Sequence, residues 1–581
     1  MKAANRKYAT SASSTTKKKE EKKNFQKEIQ LRPDTTTTLS HGQKTKKLRV
    51  YAIRQNGQRF PIKYKVLDAN NIVILTQDTV KLKVTVVPGP RPEDQFWYKA
   101  LQFTSRLAMM VRNVSISYRN SYNMSLPGFL PTVGDVFGQR SAGGFQPGLD
   151  FAFGFIDDSY IRRAAERGWL VMSDSIVTPA TTNLNEDLQI RATLEPIRDL
   201  KIDLNASRTT NRARSIQYMY DGMPTQETGS FNMTIISIGT AFKSIGNADN
   251  GYESETFNKF VASLEGFRSR VEAQYAGATY PEGTSLAGKP FDPANGTVSP
   301  YAPEVMIPAF LSAYAGGGNS LDIFPTLKRL LPNWSVKYSG LAKLPKMKKV
   351  FKSFNINHSY KSVYAVGSYN TYSTFMSYMG SIGFIQDVTT GTPTPSSMYD
   401  VSTVSINEQF SPLIGVDMTF NNNLTLKAEY RKARVLTLSM TSQQLTETRS
   451  NDLVIGCGYK VADLNLFAPR KRARRKQRNK KSDEKTTPQA STGFSNDLNL
   501  RFDLTFRDQS AINRDILSVR SQATSGNRAV QASFTADYAL SRFLTLSAYY
   551  DRQMNRPLLT SSSYPTVTQD FGISLKFMLT R

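Results

Sequence analysis

The stretch from Asp497 to Arg507 reads DLNLRFDLTFR. Leu498, Leu500, Phe502, Leu504 and Phe506 take every second position, and Asp497, Asn499, Arg501, Asp503, Thr505 and Arg507 fill those between. A period of two puts alternate side chains on opposite faces of a β-strand, so one face is apolar and the other polar. The pattern returns in Val530, Ala532, Phe534, Ala536, Tyr538 and Leu540, in Leu544, Leu546, Ala548 and Tyr550, and in Phe571, Ile573, Leu575, Phe577 and Leu579. Runs of about 9–11 residues ending in Tyr or Phe fit strands that cross a bilayer around a wet lumen.

Composition agrees. The chain of 581 residues holds 27 Tyr and 32 Phe but 3 Trp. A Tyr excess suits interfacial girdles, where the ring lies in lipid and the hydroxyl in water. Mean hydropathy is −0.41, which excludes nothing, because lumen-facing residues offset lipid-facing ones. No apolar run is long enough for a transmembrane helix, so a closed sheet is the expected spanning structure. The fold class expected is all-β: a large antiparallel transmembrane β-barrel, with one or two helices in a loop or in the lumen.

The net charge is +28. Two low-complexity blocks carry much of it: Lys17, Lys18, Lys19, Lys22 and Lys23, and Arg470–Lys481, which reads RKRARRKQRNKK. Both read as solvated loops or tails that anionic lipid head groups can also meet. Residues 1–48 are polar and aperiodic, a linker or disordered loop. Residues 49–97 contain short alternating runs, with Asn70-Asn71 at a turn, and suggest a small β subdomain or extramembrane hairpins. Residues 98–581 are expected to form the transmembrane strands, with a basic disordered loop at about 469–490. The start, MKAANRKYATSASSTTKKKEEKKNF, has no apolar signal-peptide region. The chain is therefore expected to be the tail of a longer one, with its last strand pairing outside these residues, its sheet open and its tail through Arg49 unattached.

Elsewhere Leu188–Leu194 and Leu200–Ala206 flank a tight Glu195–Asp199 turn, assigned to the periplasmic side. Asn421-Asn422-Asn423 forms a hairpin turn. About 14 to 18 strands are countable. At 254–275 the period changes: Phe257, Phe260, Val261, Leu264, Phe267 and Val271 recur at three and four, a helical stripe expected to pack on its own barrel. A second helical segment, VMIPAFLSAYAG from Val305, is expected to break at Pro308 and Gly316.

Six strings in order resemble the C-terminal part of the SprA (Sov) family, the giant outer-membrane translocons of the type IX secretion system. They are MMVRNVSISY (Met109–Tyr118), LPGFLPTVGD (Leu126–Asp135), PGLDFAFGF (Pro147–Phe155), VMIPAFLSAY (Val305–Tyr314), LPNWSVKYSGL (Leu331–Leu341) and NDLNLRFDLTFRDQ (Asn496–Gln509). The resemblance implies an outer-membrane, cell-surface channel that exports folded cargo bearing C-terminal sorting domains, including gliding-motility adhesins. It also implies partners: a small PorV-type barrel and a periplasmic plug protein, besides outer-membrane lipids. A porin-like or TonB-linked receptor barrel and a basic nucleic-acid-binding protein are the alternatives, and no nucleic-acid partner is expected.

No catalytic, cofactor-binding or metal site is expected, so the chain reads as no enzyme. With only His41 and His358, a multi-histidine zinc site lacks ligands. His358 shares parity with Phe354 and Ile356 and reads as a wall residue rather than a base. Cys457, among Leu453, Ile455, Tyr459 and Val461, reads as an apolar-face strand residue. Asp417, Arg501 and Asp503 read as lumen-facing. Phe502, Phe534, Leu546 and Leu575 read as lipid-facing.

Overall fold

The computed structural model describes residues 25–31, 36–75, 79–89, 109–132, 134, 137–141, 145–172, 178–219, 225–462, 464, 496–541, 543–559 and 564–578. The chain divides into two compact units, Met1–Met110 and Val111–Arg581.

The first unit packs two small antiparallel sheets around Leu31, Leu39, Leu48, Ile72, Ile74, Leu82, Val84 and Val86. One sheet orders Phe25–Leu31, Val80–Pro88, Leu48–Arg54 and Arg59–Phe60; the other orders Thr37–Ser40, Asn71–Leu75 and Lys63–Val66. From Phe25 onward, the described residues correct the linker assigned to residues 1–48 and the tail left unattached through Arg49. Phe25, Ile29 and Leu31 alternate inside the Lys-rich stretch and pair with Val86, Leu82 and Val80, and Arg49 pairs with Val87. The turn lies just before the Asn pair's end: Asp68 Oδ1 accepts from the Asn70 and Asn71 amides at 2.7 Å each. His41 is buried there, and burial pushes its imidazole below the usual range.

The second unit is built on one 13-stranded antiparallel sheet. Its strands are β1 (Val111–Ser125), β2 (Ala180–Leu194), β3 (Leu200–Ile216), β4 (Gln226–Thr234), β5 (Asn333–Tyr338), β6 (Phe351–Thr371) and β7 (Tyr399–Phe420). They continue as β8 (Leu424–Ser439), β9 (Gln444–Val461), β10 (Leu498–Asp515), β11 (Arg520–Ala539), β12 (Leu544–Pro557) and β13 (Thr566–Phe577). Neighbours in sequence are neighbours in the sheet, with one exception. β4 and β5 lie end to end between β3 and β6: β4 pairs with Arg208–Ser215 and β5 with Leu200–Asn205. Among the described residues β1 pairs only with β2 and β13 only with β12, so the sheet is open at both edges.

Register aligns the apolar parity of every strand. Ile116, Ile190 and Ala206 lie in one row. Val336, His358 and Ile356 carry the face onward to Val416, Ala428, Ile455, Leu504 and Ala532. At the far edge it continues through Ala548 and Ile573. The apolar run slides along the register there: level with Ala532, β12 presents Arg552, and its apolar residues start at Tyr550. Such a slide is what tilted strands give when a flat slab of lipid crosses them. The band is bare: Ile116 is 68% exposed, Leu575 63% and Ile573 78%. A contiguous apolar surface of this extent marks contact with lipid. This is the wall of an antiparallel transmembrane β-barrel.

The strands are longer than the bilayer needs. β6 has 21 residues, β7 22 and β11 20. At ~3.3 Å per residue the longest reach roughly 70 Å, against an apolar band of about 25 Å. Their upper halves therefore stand outside the membrane, and the expected length of about 9–11 residues describes only the spanning part.

The segment 235–332, between β4 and β5, packs on these upper halves. It carries helices α2 (Glu255–Glu272) and α3 (Pro303–Ala315), α1 (Ser159–Glu166) being earlier, in the β1–β2 loop. The helical stripe buries Phe257, Phe260, Leu264, Phe267 and Val271, while Val261 is half-buried. Phe310 of α3 meets Phe260 edge-on at 6.2 Å. Together they cover Phe231, Tyr364, Val366, Val404, Ile406, Leu436, Leu438 and Leu445. Pro308 does not break α3, correcting the expectation. It forfeits one amide bond in the second turn of a helix held on all sides by core. Gly316 does end it, at φ +66°.

Candidate functional site

The wall presents two faces, and each carries a separate polar system. Opposite the lipid band, the face is a ladder of polar residues. Arg501 Nε meets Asp503 Oδ2 at 2.6 Å. Arg507 reaches Asp452 at 3.1 Å, and Lys427 reaches Glu429 at 2.8 Å. Asn357 donates to Asp417 at 2.6 Å, and Thr193 donates to Asp203 at 2.7 Å. Charges of both signs sit on neighbouring strands, so no single-sign field develops. Only a hydrated space makes such a surface inexpensive. Asp417, Arg501 and Asp503 lie on this face. Phe502, Phe534, Leu546 and Leu575 lie on the other, and Cys457 stands with them between Leu426 and Phe502.

The second system was not anticipated. On β8 the even positions run Leu426, Ala428, Tyr430, Lys432, Arg434, Leu436 and Leu438 without a register break. The helical segment therefore covers the same face that lower down meets lipid. Of the two places open to the helices, a loop or the lumen, the structure takes the loop. α2 turns Glu255, Lys259, Glu265 and Arg268 outward, which only water tolerates.

Beneath that segment lies a buried ion-pair cluster. Arg434 Nη2 is 2.8 Å from Glu408 Oε2, with both side chains at most 2% exposed. Arg434 also donates to the Thr240 carbonyl and hydroxyl, each at 2.9 Å. Glu408 Oε1 accepts from Ser237 Oγ at 2.7 Å and from Tyr360 OH at 2.8 Å. Arg449 donates to Glu447 at 2.9 Å and to the Lys243 carbonyl at 2.7 Å. Arg514 pairs with Glu447 at 3.2 Å and donates to the carbonyls of Tyr252 at 2.6 Å and Ile245 at 3.1 Å. Three wall arginines thus satisfy main-chain carbonyls of segment 237–252, at Thr240, Lys243, Ile245 and Tyr252. A signal existed in the sequence: Glu408, Arg434, Glu447, Arg449 and Arg514 hold apolar-parity positions, Glu408 between Ile406 and Phe410 and Arg514 between Ile512 and Ile516.

His358 sits at the lower margin of this region. Its Nε2 accepts from Trp334 Nε1 at 3.1 Å, and its Nδ1 lies 2.6 Å from the Leu413 carbonyl. Both ring nitrogens are occupied, so it braces β5, β6 and the bulge of β7 and has no free nitrogen for proton transfer. Nearer the first edge, a cleft of about 850 Å³ opens between the α1 loop and the upper ends of β1–β3. Arg214 bridges Asp158 at 2.5 Å and Glu227 at 2.7 Å on its wall. Burial would raise the Asp158 carboxyl, but Arg214 and Tyr122 hold it below the usual range. In the helical segment, Glu304 is buried with one oxygen accepting from the Ser397 amide at 3.1 Å. Burial pushes its carboxyl up. Among the described residues no group of acidic, Cys and His side chains could hold a metal ion.

No protein-family model matches the chain, and no curated protein is similar to it. Among solved structures, an outer membrane protein of Vibrio cholerae, OmpT folded in vitro in its trimer form, is similar at 10% identity. The match covers 69% of this chain and 93% of that one with a TM-score of 0.18, too loose a superposition to add to what the sheet itself shows. The basic block Arg470–Lys481 lies outside the described residues.

Proposed function

We propose that this chain forms part of the wall of an outer-membrane, protein-conducting channel of the SprA type, exporting folded cargo in type IX secretion. One observation carries the channel reading: a register-aligned wall with lipid contact on one face and mixed charges on the other. A folded cargo surface also carries both signs, and a mixed wall offers it no strong single-sign trap. The open edges at β1 and β13 support completion of the barrel by further strands, since unpaired backbone groups in lipid cost several kcal/mol each. The six ordered strings support the finer assignment, and with it cargo bearing sorting domains, a PorV-type barrel and a periplasmic plug as partners. The chain acts by enclosing a passage, not by chemistry on a substrate.

The test is cysteine crosslinking in the intact protein of the native membrane, in a Cys457→Ser background. Thr505→Cys on the polar face should crosslink to an arrested sorting-domain fusion and react with water-soluble maleimide. Leu504→Cys, one residue away, should do neither. Cargo-independent reactivity at both positions would end the channel reading. Maleimide reactivity at Thr505→Cys without any cargo crosslink would leave a channel but reject protein export.

A further inference from the structure

At the end of the wall away from the helical segment, the β5–β6 loop and the first two residues of β6 read GLAKLPKMKKVFK from Gly340 to Lys352. The loop is held firmly. The Ser339 amide donates to the Asp199 carbonyl at 3.0 Å, and Lys343 forms an ion pair with Asp199. From the other side, the Asn421 amide donates to the Val350 carbonyl at 3.0 Å, and the Asn421 side chain donates to the Lys349 carbonyl at 2.9 Å. The loop is thus fixed to two neighbouring turns, Glu195–Asp199 and Asn421–Asn423.

Its composition is split. Leu344 and Val350 are exposed, 49% and 47%. Phe351 packs on Phe354 and Phe420 at 5.3 and 4.7 Å, directly continuous with the lipid band through Ile356. Lys346, Lys348, Lys349 and Lys352 are exposed beside these, and among the described residues none has an acidic partner. Apolar side chains at the band's edge with lysines just beyond them match a membrane interface. The stems lie along the acyl chains and the ammonium groups reach the head groups.

We propose that this loop is a docking surface for anionic phospholipid, with the head-group phosphate held among Lys346, Lys348, Lys349 and Lys352. The proposal rests on the band meeting lipid and not on what the channel carries. Charge decides between lipid classes: a zwitterionic head group brings its own cation to the lysines, whereas phosphatidylglycerol does not. Each lysine near an anionic surface is worth roughly fivefold in partitioning. The fixed backbone means that little ordering has to accompany binding.

The experiment uses the intact protein, with every strand that closes its barrel, in mixed-lipid nanodiscs, with Val350→Cys in a Cys457→Ser background carrying an NBD fluorophore. Quenching is compared between nitroxide-labelled phosphatidylglycerol and phosphatidylcholine. The expected result is at least a fivefold preference for phosphatidylglycerol. That preference should fall to near unity in the variant Lys346→Gln, Lys348→Gln, Lys349→Gln, Lys352→Gln, and in 1 M salt, where the Debye length shrinks to about 3 Å. Lys427→Gln, on the polar face, should leave it unchanged. Equal quenching by both lipids in the parent protein would overturn the lipid preference while leaving the membrane wall intact. No quenching by either would reject the membrane wall itself. Loss of the preference on adding millimolar glycerol phosphate would mean a phosphate pocket in place of a lipid surface.

Discussion

Replacing Arg514 by Ala removes one of three anchors between wall and helical segment. The guanidinium is fully buried and holds Glu447, the Tyr252 and Ile245 carbonyls and the Ser521 hydroxyl. Glu447 keeps Arg449 as a partner at 2.7 Å. The loss is therefore chiefly of the charged hydrogen bonds to Tyr252, Ile245 and Ser521, each about 1.5–3 kcal/mol, below the full cost of about 3–5 kcal/mol for stranding a buried charge. The three bonds share one desolvation and cannot be added, so the expected cost is about 3 kcal/mol. It should fall locally, because the wall's own backbone ladder does not pass through the side chain. About 3 kcal/mol is roughly a hundredfold in an opening equilibrium. Hydrogen exchange in detergent should show amides of 238–252 exchanging about a hundredfold faster, bounded by the stability of the helical segment. Amides of β9 and β10 near Leu453–Tyr459 and Arg501–Arg507 should be unchanged. Full retention of protection at 238–252 would refute the anchoring role, and uniform loss across the wall would refute its local character. Combining Arg514→Met with Glu447→Gln should recover nothing and deepen the loss, since the buried Arg449 then also loses its carboxylate.

Three further outcomes are expected. Leu504→Arg should reduce folding into bilayers by about 2–4 kcal/mol, and Thr505→Arg by almost nothing; similar penalties from equilibrium refolding into vesicles would contradict the assignment of faces. Burial raises the folded-state pKa of Glu304 above its unfolded value, so the folded segment binds the extra proton, and its stability should fall as pH rises from about 4.5 through that raised value. Glu304→Gln should flatten this dependence in thermal melts followed at neutral and acid pH; an unchanged slope would clear Glu304 of responsibility. Gly316→Ala should cost about 1 kcal/mol, because the residue ends α3 at positive φ with open space around it, leaving only backbone strain; a neutral substitution would show that α3 can end elsewhere.

The spanning half of the wall is legible in the sequence because lipid on one side and water on the other enforce strict alternation, as at Leu498–Phe506. The amphipathic α2 is legible for a similar reason: one stripe faces core and the rest faces water. What escapes is whatever depends on a distant partner. Residues Phe25–Leu31 alternate, but lysines surround them, and only the pairing with Val80–Pro88 makes the pattern decisive. The charged residues at Glu408, Arg434, Glu447, Arg449 and Arg514 resemble defects in a lipid-facing strand. They become intelligible once a segment some two hundred residues away in sequence brings its carbonyls to them. The face covered by the helices was equally hidden, since parity alone does not say where a strand leaves the bilayer.

The end-to-end placement of β4 and β5 has a consequence for how the wall is assembled. β3 and β6 never touch directly through their ladders; the space between them is filled from above by one piece and from below by another. Those two pieces are the entry and exit of segment 235–332. A chain adding strands one after another can proceed from β1 to β4 but cannot seat β6 along its full length until that segment has folded back and delivered β5. The helical segment therefore sets the order of events, and its folding is a checkpoint between two half-sheets. If it fails, the product is not a weakened wall but a split one, held only by the β4–β6 ladder above and gaping below, where β5 should join β3 to β6.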